Sequence, residues 1–355
     1  MRRDSRLAPA PGSESNADMK LRLEPSDEYT HPLEEATNFN ESMYFNVFDP
    51  NGRIGGFCRL GNRANEGCAE MTTCLYLPDG RVGFMFGRPE ITTNATFDAG
   101  GMRFEVVEPF EALRVSYRGK VVLLDEPTQM AHPRKAFTEN PWVDSVVELD
   151  YRGLVPAFGG EPVNDDGTPL TEDLSGGFAR GHYEQHVGAR GVIAVGDEEW
   201  EVDGFGLRDH SWGPRFWQAP WWYRWLTINF GDDAGFVVSV ITARDGSERV
   251  GGVAFEDGQY HHLDEATIEI SSGRRPGHTI RSVSRDPSLC SSTCTATSAD
   301  PLSRRRRRVP RRRSGRGTRR GRIRCARSTA TPSCPRRSAS RVVRPRGSCA
   351  GCEAG

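Results

Sequence analysis

Short runs of alternating apolar and polar residues, separated by turn residues, fill the chain up to about residue 284. A period of two residues is typical of a β-strand with one buried face, and the 3.6-residue period of an amphipathic helix is nearly absent. The turn at Pro78–Gly80 between Ala69–Leu77 and Arg81–Gly87 predicts a hairpin. Asp49–Gly52 and Arg118–Lys120 predict two further turns of this kind.

The same pattern of short strands continues after a segment rich in Gly, Pro and Asp, Gly159–Gly177, which predicts a domain boundary. Many short strands at this spacing favour an all-β fold over βαβ units. We therefore expect two antiparallel β domains, each a barrel or a sandwich. The predicted organisation is a flexible leader at 1–37, a first β domain at 38–165, a second, incomplete β domain at 166–284 and a disordered Arg-rich tail at 285–355.

The composition of the tail differs sharply from that of the rest of the chain. Residues 301–355 contain 19 arginines and one acidic residue, Glu353. The chain contains no Phe, Trp or Tyr from His261 onward. Such a segment cannot bury enough apolar surface to offset its conformational entropy. Two interpretations compete: a nucleic-acid-binding tail, or a frameshifted stretch of a GC-rich gene, which the composition favours. The tail cysteines lack the histidines and context of a zinc site.

Without the tail, residues 1–300 carry a net charge of about −19, which argues against binding to nucleic acid or anionic membranes. No apolar run is long enough for a transmembrane segment, and the N-terminus has no secretory pattern, so we expect a soluble, cytoplasmic protein. Cys58, Cys68 and Cys74 are expected to be reduced thiols. The sequence leaves the oligomeric state open.

The densest concentration of reactive side chains lies between residues 204 and 217. On a strand, one face would carry Gly204, Gly206, Arg208, His210 and Trp212. The two glycines would leave room for a ligand, Trp212 would form an apolar wall, and His210 could donate or accept a proton. We predict catalytic roles for Arg208, Asp209 and His210, although a structural Arg–Asp pair and a core histidine are the alternative.

His182, Glu184 and His186 alternate along a second predicted strand and share one face. Two histidines and a carboxylate could bind a metal with an open coordination position, but the site would need a further ligand, for which His210 is the obvious candidate. A polar face that lines a wet cavity is the favoured interpretation. We therefore predict no metal, and we place His182 and Glu184 among the substrate-binding residues.

Aromatic residues are concentrated just after these motifs. The predicted members of a cavity wall are Trp217, Trp221, Tyr223 and Trp225, of which the last three share one strand face. An ordinary barrel core is the alternative. No Walker or Rossmann glycine loop and no Gly-x-Ser-x-Gly motif is present, which argues against nucleotide-binding folds and α/β-hydrolases.

Three segments, Asn40–Phe45, Ala179–Glu184 and above all Gly206–Gly213, resemble an uncharacterised bacterial two-domain family. That family is similar to the carotenoid hydratases (hydroxyneurosporene synthases), the AttH-like proteins and the lipocalin-like fungal cyclases. The resemblance covers roughly Glu34 to Ser284. It implies two lipocalin-like β-barrels, a hydrophobic polyene or lipid-like substrate and no cofactor, and it matches the hydratases' His-x-Trp motif to His210 and Trp212.

The hydratases also use a Tyr and an Asp on the following strand, and Gly235–Val240 carries neither. Alkene hydration is therefore not carried over to this chain. The leading hypothesis is a cofactor-independent hydratase, isomerase or cyclase acting on a hydrophobic small molecule, with His210 as its acid–base group. The alternatives are a non-catalytic carrier of apolar ligands and, third, nucleic-acid binding through the tail. A buried acid close to His210 would favour the enzyme.

Overall fold

The computed structural model describes residues 20–170, 179–215, 221–263, 265–271, 277–283 and 292–297. Strands make up most of these residues, and the helical elements are three short 3-10 turns (Pro25–Glu28, Ala64–Glu66, Pro127–Ala131) and the helix α1 (Pro133–Glu139). The strands are β1 (Leu21–Arg22), β2 (Phe39–Asp49), β3 (Ile54–Arg63), β4 (Cys68–Tyr76), β5 (Val82–Gly87), β6 (Asp98–Ala99), β7 (Met102–Glu108), β8 (Ala112–Leu124), β9 (Trp142–Gly153), β10 (Phe158–Pro162), β11 (Gly181–Val195), β12 (Glu198–Pro214), β13 (Trp222–Asn229), β14 (Ala234–Thr242), β15 (Glu248–Glu256), β16 (Gln259–His262), β17 (Glu265–Ser271), β18 (Gly277–Val283) and β19 (Ser292–Thr297).

Eight antiparallel strands close into a ring. Hydrogen bonding runs from β2 through β3, β4, β5, β8, β9, β11 and β12 and returns to β2. The β6–β7 hairpin extends from β8, and β10 followed by β1 extends from β11. Closure leaves the eight barrel strands without a free edge over much of their length. The predicted all-β antiparallel fold is confirmed.

Apolar side chains fill most of the barrel interior. They come from alternate positions of the ring strands, such as Met43, Phe45 and Val47 on β2, which are at most 3% exposed. A small cavity between β2, β3, β4, β9 and β11 has room for about one water molecule. The barrel interior at that point therefore has no space for a polyene-sized ligand.

A second sheet, formed by the meander β13–β14–β15–β16, packs against the outside of the barrel. Leu207 of β12 is buried there with Val237 and Val253, and Trp225 packs against the same cluster. Ion pairing between Arg152 and Asp232 joins the two sheets at the surface. The strands β17, β18 and β19 form a third, three-stranded antiparallel sheet.

Several predicted elements match the structure and others are corrected by it. The hairpins at residues 49–52 and 78–80 are present, joining β2 to β3 and β4 to β5. The turn predicted at Arg118–Lys120 is instead the middle of β8, because β9 pairs with that strand on both sides of it. Helices are as scarce as predicted, and no helix among the described residues is long and apolar enough to cross a membrane.

The organisation of the chain also differs from the predicted segments. β11 and β12, which follow the predicted boundary near residue 165, complete the first barrel instead of starting a second one. Residues 20–37, assigned to a flexible leader, pack against the barrel, since Glu28 is fully buried and β1 pairs with β10. β19 falls inside the predicted tail, and residues 298–355 lie outside the described residues.

Candidate functional site

Arg208, His210 and Trp212 of β12 point into the barrel, as the alternation along the strand predicts. Their partners across the neighbouring strands are Phe45, Met43 and Glu41 on β2. Because opposed residues in an antiparallel pair project to the same face, the interior set on β2 fixes the inward direction for β12. Arg208 and His210 are 0% exposed and Trp212 is 3% exposed.

Glu28 from the N-terminal segment neutralises the buried charge of Arg208. The guanidinium donates Nη1–H to Glu28 Oε1 at 2.6 Å and Nη2–H to Oε2 at 2.8 Å, and its Nε–H to Gln185 Oε1 at 2.8 Å. Glu28 also accepts the hydroxyl of Tyr183 at 2.8 Å and the backbone N–H of Phe110 at 2.8 Å. The paired, forked geometry makes this a charge-assisted ion pair isolated from solvent.

Glu41 connects His210 to a second histidine, His31. Its Oε1 lies 2.6 Å from His210 Nε2 and 2.9 Å from His31 Nδ1, while Oε2 accepts the backbone N–H of His31 at 3.0 Å and the Asn94 amide at 3.2 Å. Burial would raise the pKa of Glu41, but hydrogen bonds with His210 and His31 outweigh it and lower the pKa to about 2. A buried acid close to His210 is therefore present.

Residues 24–38, here called the N-terminal plug, close this end of the barrel. His31 stacks on the indole of Trp212, with ring centroids 4.1 Å apart and planes 12° from parallel. The plug therefore occupies the position in which the sequence predicted a ligand against Trp212. The roles predicted for Arg208, His210 and Trp212 stay predictions. Within the described residues, other side chains of the protein surround all three.

The two glycines of β12 do not leave free space beside the strand. A β-carbon at Gly204 would lie 2.5 Å from the carbonyl oxygen of Phe48, and one at Gly206 would lie 1.9 Å from that of Asn46. Backbone of β2 fills both positions. Glycine is required here for close approach between two strands, which is the other common reason for glycine within a strand.

The opposite, outer face of the same strands carries a second group of polar residues. Glu184 of β11 lies directly across from Asp209 of β12, and His182 lies across from Ser211. The Nε2 atom of His182 is 3.7 Å from Glu184 Oε1. His210 points to the other side of β12, so it cannot complete the metal site considered for His182, Glu184 and His186.

Burial raises the pKa of both outer-face carboxyls. The pKa of Glu184 is raised to about 8, first by burial and then by the negative charge of Asp209. Burial also raises the pKa of Asp209, to about 6, against the opposing charges of Arg215 and Arg59. A neutral carboxylic acid therefore faces an ionised carboxylate at neutral pH, an arrangement typical of acid–base sites.

Trp225 of the second sheet lies beside Glu184 of this carboxyl pair. Trp225 contacts Tyr44 of the barrel, with ring centroids 5.3 Å apart, and its indole lies close enough to Glu184 to lower the pKa of that carboxyl in part. Tyr223, two residues earlier on the same face of β13, is 63% exposed, and Trp221 is 60% exposed with Arg244 over its ring. Trp217 lies outside the described residues. We call His182, Glu184, Asp209, Tyr44 and Trp225 the outer-face cluster.

Glu28 and His31 are not among the site residues predicted from the sequence, and no role was predicted for Glu41 or Tyr183. Glu41 could have been found, since it alternates with Phe39, Met43, Phe45 and Val47 and so marks an acid on a buried strand face. No local sequence pattern distinguishes Glu28 or His31 from other polar residues, because their partners are up to 180 residues away in the sequence.

No protein of curated function matches this sequence. Among solved structures, an AttH-type protein from Nitrosomonas europaea is 14% identical, over 79% of this chain and 84% of its own, with a TM-score of 0.45. CghA is 13% identical over 79% and 83%, with a TM-score of 0.40. Kievitone hydratase from Nectria haematococca is 10% identical over 76% and 78%, with a TM-score of 0.44.

The resemblance to an uncharacterised family is confirmed by the family model that matches this chain. The family described as a domain of unknown function, DUF7064, matches residues 24–316, and the chain therefore belongs to that family.

Proposed function

We propose that this protein is a cofactor-independent enzyme of the hydratase, isomerase or cyclase type, acting on a hydrophobic polyene or lipid-like small molecule at the outer-face cluster. The observation that carries the proposal is the pairing of Glu184, a buried neutral acid, with Asp209 across two neighbouring strands. Reactions of this type need a proton delivered to one atom and removed from another.

The aromatic residues around the carboxyl pair suit an apolar substrate. Trp225 and Tyr44 offer ring faces beside Glu184, and such faces stabilise positive charge that develops on a protonated alkene. The exposed side chain of Tyr223, on the same face of β13, provides an approach from solvent. The barrel interior is less suitable, because the N-terminal plug and apolar side chains fill it.

In a hydration, Glu184 donates its proton to one alkene carbon, and the π electron pair forms the new C–H bond. A water oxygen bonds to the other carbon, and Asp209 accepts the proton that this water loses. The proton then returns from Asp209 to Glu184 across the strand pair. In an isomerisation or cyclisation, Asp209 removes a proton from carbon instead, and no water is consumed.

In this proposal His210 and Arg208 position the strand and do not touch the substrate. Both side chains are fully buried on the inner face of β12, while Asp209 between them projects outward. The ion pair with Glu28 and the bond with Glu41 hold β12 in place. This positioning role differs from the acid–base role predicted for His210 from its motif. The His210→Ala variant distinguishes the two roles, because a loss of folding stability supports positioning.

The alternative function is a carrier that binds apolar ligands without converting them, since the exposed Trp221 and Tyr223 would serve binding alone. One experiment distinguishes the two functions. The purified chain is incubated, without added cofactor, with a panel of polyenes and unsaturated lipids, and mass spectrometry follows the gain of one water or the formation of an isomer.

The enzyme hypothesis predicts turnover that Glu184→Gln lowers by roughly 100-fold or more, the usual contribution of a general acid. Glu201→Gln, on an exposed part of β12, is the matched control and should retain full turnover. Ligand binding without conversion by the unaltered chain would favour the carrier. Equal turnover by Glu184→Gln and the unaltered chain would refute the assignment of Glu184.

A further inference from the structure

Three side chains converge at the closed end of the barrel, and none of them touches the substrate in the proposed function. His31 comes from the N-terminal plug, Glu41 from β2 and His210 from β12. One donor atom from each, His31 Nδ1, Glu41 Oε1 and His210 Nε2, lies within 4.8 Å of the other two. Among the described residues, no other set of three or more His, Cys, Asp and Glu side chains converges in this way.

With its ring neutral, His210 has only one N–H for the two oxygen atoms that its nitrogens face. Tyr183 donates its one hydroxyl proton to Glu28, which as an ionised partner of Arg208 can only accept. His210 Nδ1, 3.2 Å from the Tyr183 oxygen, must then be the donor in that bond. A neutral ring would direct the lone pair of Nε2 at a carboxylate oxygen 2.6 Å away, so either a second proton or a metal ion is needed.

His31 presents the same problem. Its Nδ1 lies 2.9 Å from Glu41 Oε1, and its Nε2 lies 3.4 Å from a carboxylate oxygen of Asp27. Both ring nitrogens face acceptors, and a neutral imidazole has only one N–H to give. A second proton on each ring would satisfy these acceptors. A single divalent ion supplies the same charge with both rings neutral.

We propose that His31, Glu41 and His210 form a binding site for a divalent transition metal of the zinc class. Two imidazole nitrogens and one carboxylate oxygen are a donor set that Zn²⁺ accepts, with a fourth position left for water. Donors at about 2.0–2.2 Å from zinc lie about 3.3 Å apart. Glu41 Oε1, now 2.6 Å from His210 Nε2 and 2.9 Å from His31 Nδ1, therefore has to move away by about 0.7 Å from the first nitrogen and about 0.4 Å from the second.

The surroundings already have the features of an outer ligand shell. Histidine ligands commonly donate their second nitrogen to a carboxylate or another oxygen, which fixes the ring and its tautomer. The Tyr183 hydroxyl stands in this position for His210, and a carboxylate oxygen of Asp27 lies 3.4 Å from His31 Nε2. Stacking on Trp212 holds the plane of His31, and Asn94 binds the remaining oxygen of Glu41.

This site lies on the inner face, apart from the outer-face cluster, and its role is structural. His31 belongs to the N-terminal plug, whereas the other two ligands belong to the barrel wall, so a bound ion joins the plug to the barrel. Glu41 and His210 are fully buried, and the His31 side chain is 18% exposed. The metal therefore enters from the His31 side.

Zinc titration of the full chain, expressed without a polyhistidine tag and stripped with a chelator, tests the proposal. Isothermal calorimetry should give one Zn²⁺ per chain and a higher melting temperature on binding. His31→Ala should weaken binding by roughly 100-fold, at the upper end of what outer-shell changes alone cause. His132→Ala, which removes an exposed histidine, is the matched control and should bind as the unaltered chain does.

Cobalt provides a second measurement that does not depend on the stability of a variant. The visible absorption of Co²⁺ bound to the unaltered chain should show a low-coordinate nitrogen and oxygen environment, and Zn²⁺ should displace it one for one. A folded chain that retains no zinc, with both rings doubly protonated by nitrogen NMR at pH 7, would overturn the proposal. Zinc binding of equal strength in His31→Ala would overturn it as well.

Discussion

Replacing Glu28 with glutamine tests whether the N-terminal plug is held by its buried ion pair. The substitution preserves the shape of the side chain but removes the negative charge that faces Arg208, where both side chains are 0% exposed. Arg208 would remain in the barrel with a neutral partner. Its desolvated positive charge would then be uncompensated, which is the costly case for a buried ion pair.

The expected decrease in the free energy of unfolding follows from the contacts of Glu28. Breaking a buried pair by removing one partner typically costs about 3–5 kcal/mol. Glu28 also accepts hydrogen bonds from Tyr183 and from the backbone of Phe110, and an amide can satisfy only part of these. For a domain of this size, such a loss lowers the melting temperature by on the order of 10 °C.

Urea unfolding followed by tryptophan fluorescence measures the loss, with thermal melting as a second method. Glu35→Gln, an exposed position in the same plug, is the matched control and should change the free energy of unfolding by less than about 0.5 kcal/mol. The double variant Glu28→Gln, Arg208→Met should be less destabilised than the two single losses added together. If Glu28→Gln cost no more than Glu35→Gln, the plug would not depend on this ion pair.

Two further predictions concern the outer face of β11 and the seam between β2 and β12. The pKa of Glu184 is raised from 4.5 to about 8, so the folded chain holds a proton that the unfolded chain releases, and stability falls as the pH rises from 4.5 to 8. The free energy of unfolding of Glu184→Gln should therefore exceed that of the unaltered chain at pH 8 by up to roughly 5 kcal/mol. Near pH 4 the two free energies should be similar. If the free energies of unfolding of the two proteins changed in parallel with pH, this prediction would be wrong. Gly206→Ala would place a β-carbon 1.9 Å from the carbonyl oxygen of Asn46. This substitution should lower the free energy of unfolding by about 3 kcal/mol or more in the same urea assay. Gly251→Ala, with open space around the added β-carbon, is the control and should leave the free energy of unfolding nearly unchanged.

The sequence predicted much of the local structure because its patterns act over short distances. Alternation along β2, β4, β5 and β12 assigned the strands and their buried faces, and Asp49–Gly52 and Pro78–Gly80 specified hairpin turns. The prediction failed at Arg118–Lys120, where residues typical of a turn lie inside β8. Pairing of β8 with β9 along its whole length outweighs the local preference for a turn there.

Sequence pattern also placed Arg208, His210 and Trp212 together on an inward face, and Glu184 with His182 on a separate strand face. It could not say that Glu184 would meet Asp209, because the register between β11 and β12 depends on the whole strand pair. Nor could it identify what lies behind His210. The expected hollow is filled by Glu28, Glu41 and His31 from the plug and β2.

The sequence by itself thus determined the all-β class, the hairpins and the sidedness of each strand, because periodicity and turn chemistry are properties of neighbouring residues. Only the tertiary structure decided that β11 and β12 close the first barrel, that the N-terminal plug enters its end, and that two histidines converge on Glu41. Those contacts join residues as many as 180 positions apart. Their energies come from burial and pairing of charge, which depend on the surrounding fold and leave no local pattern in the chain.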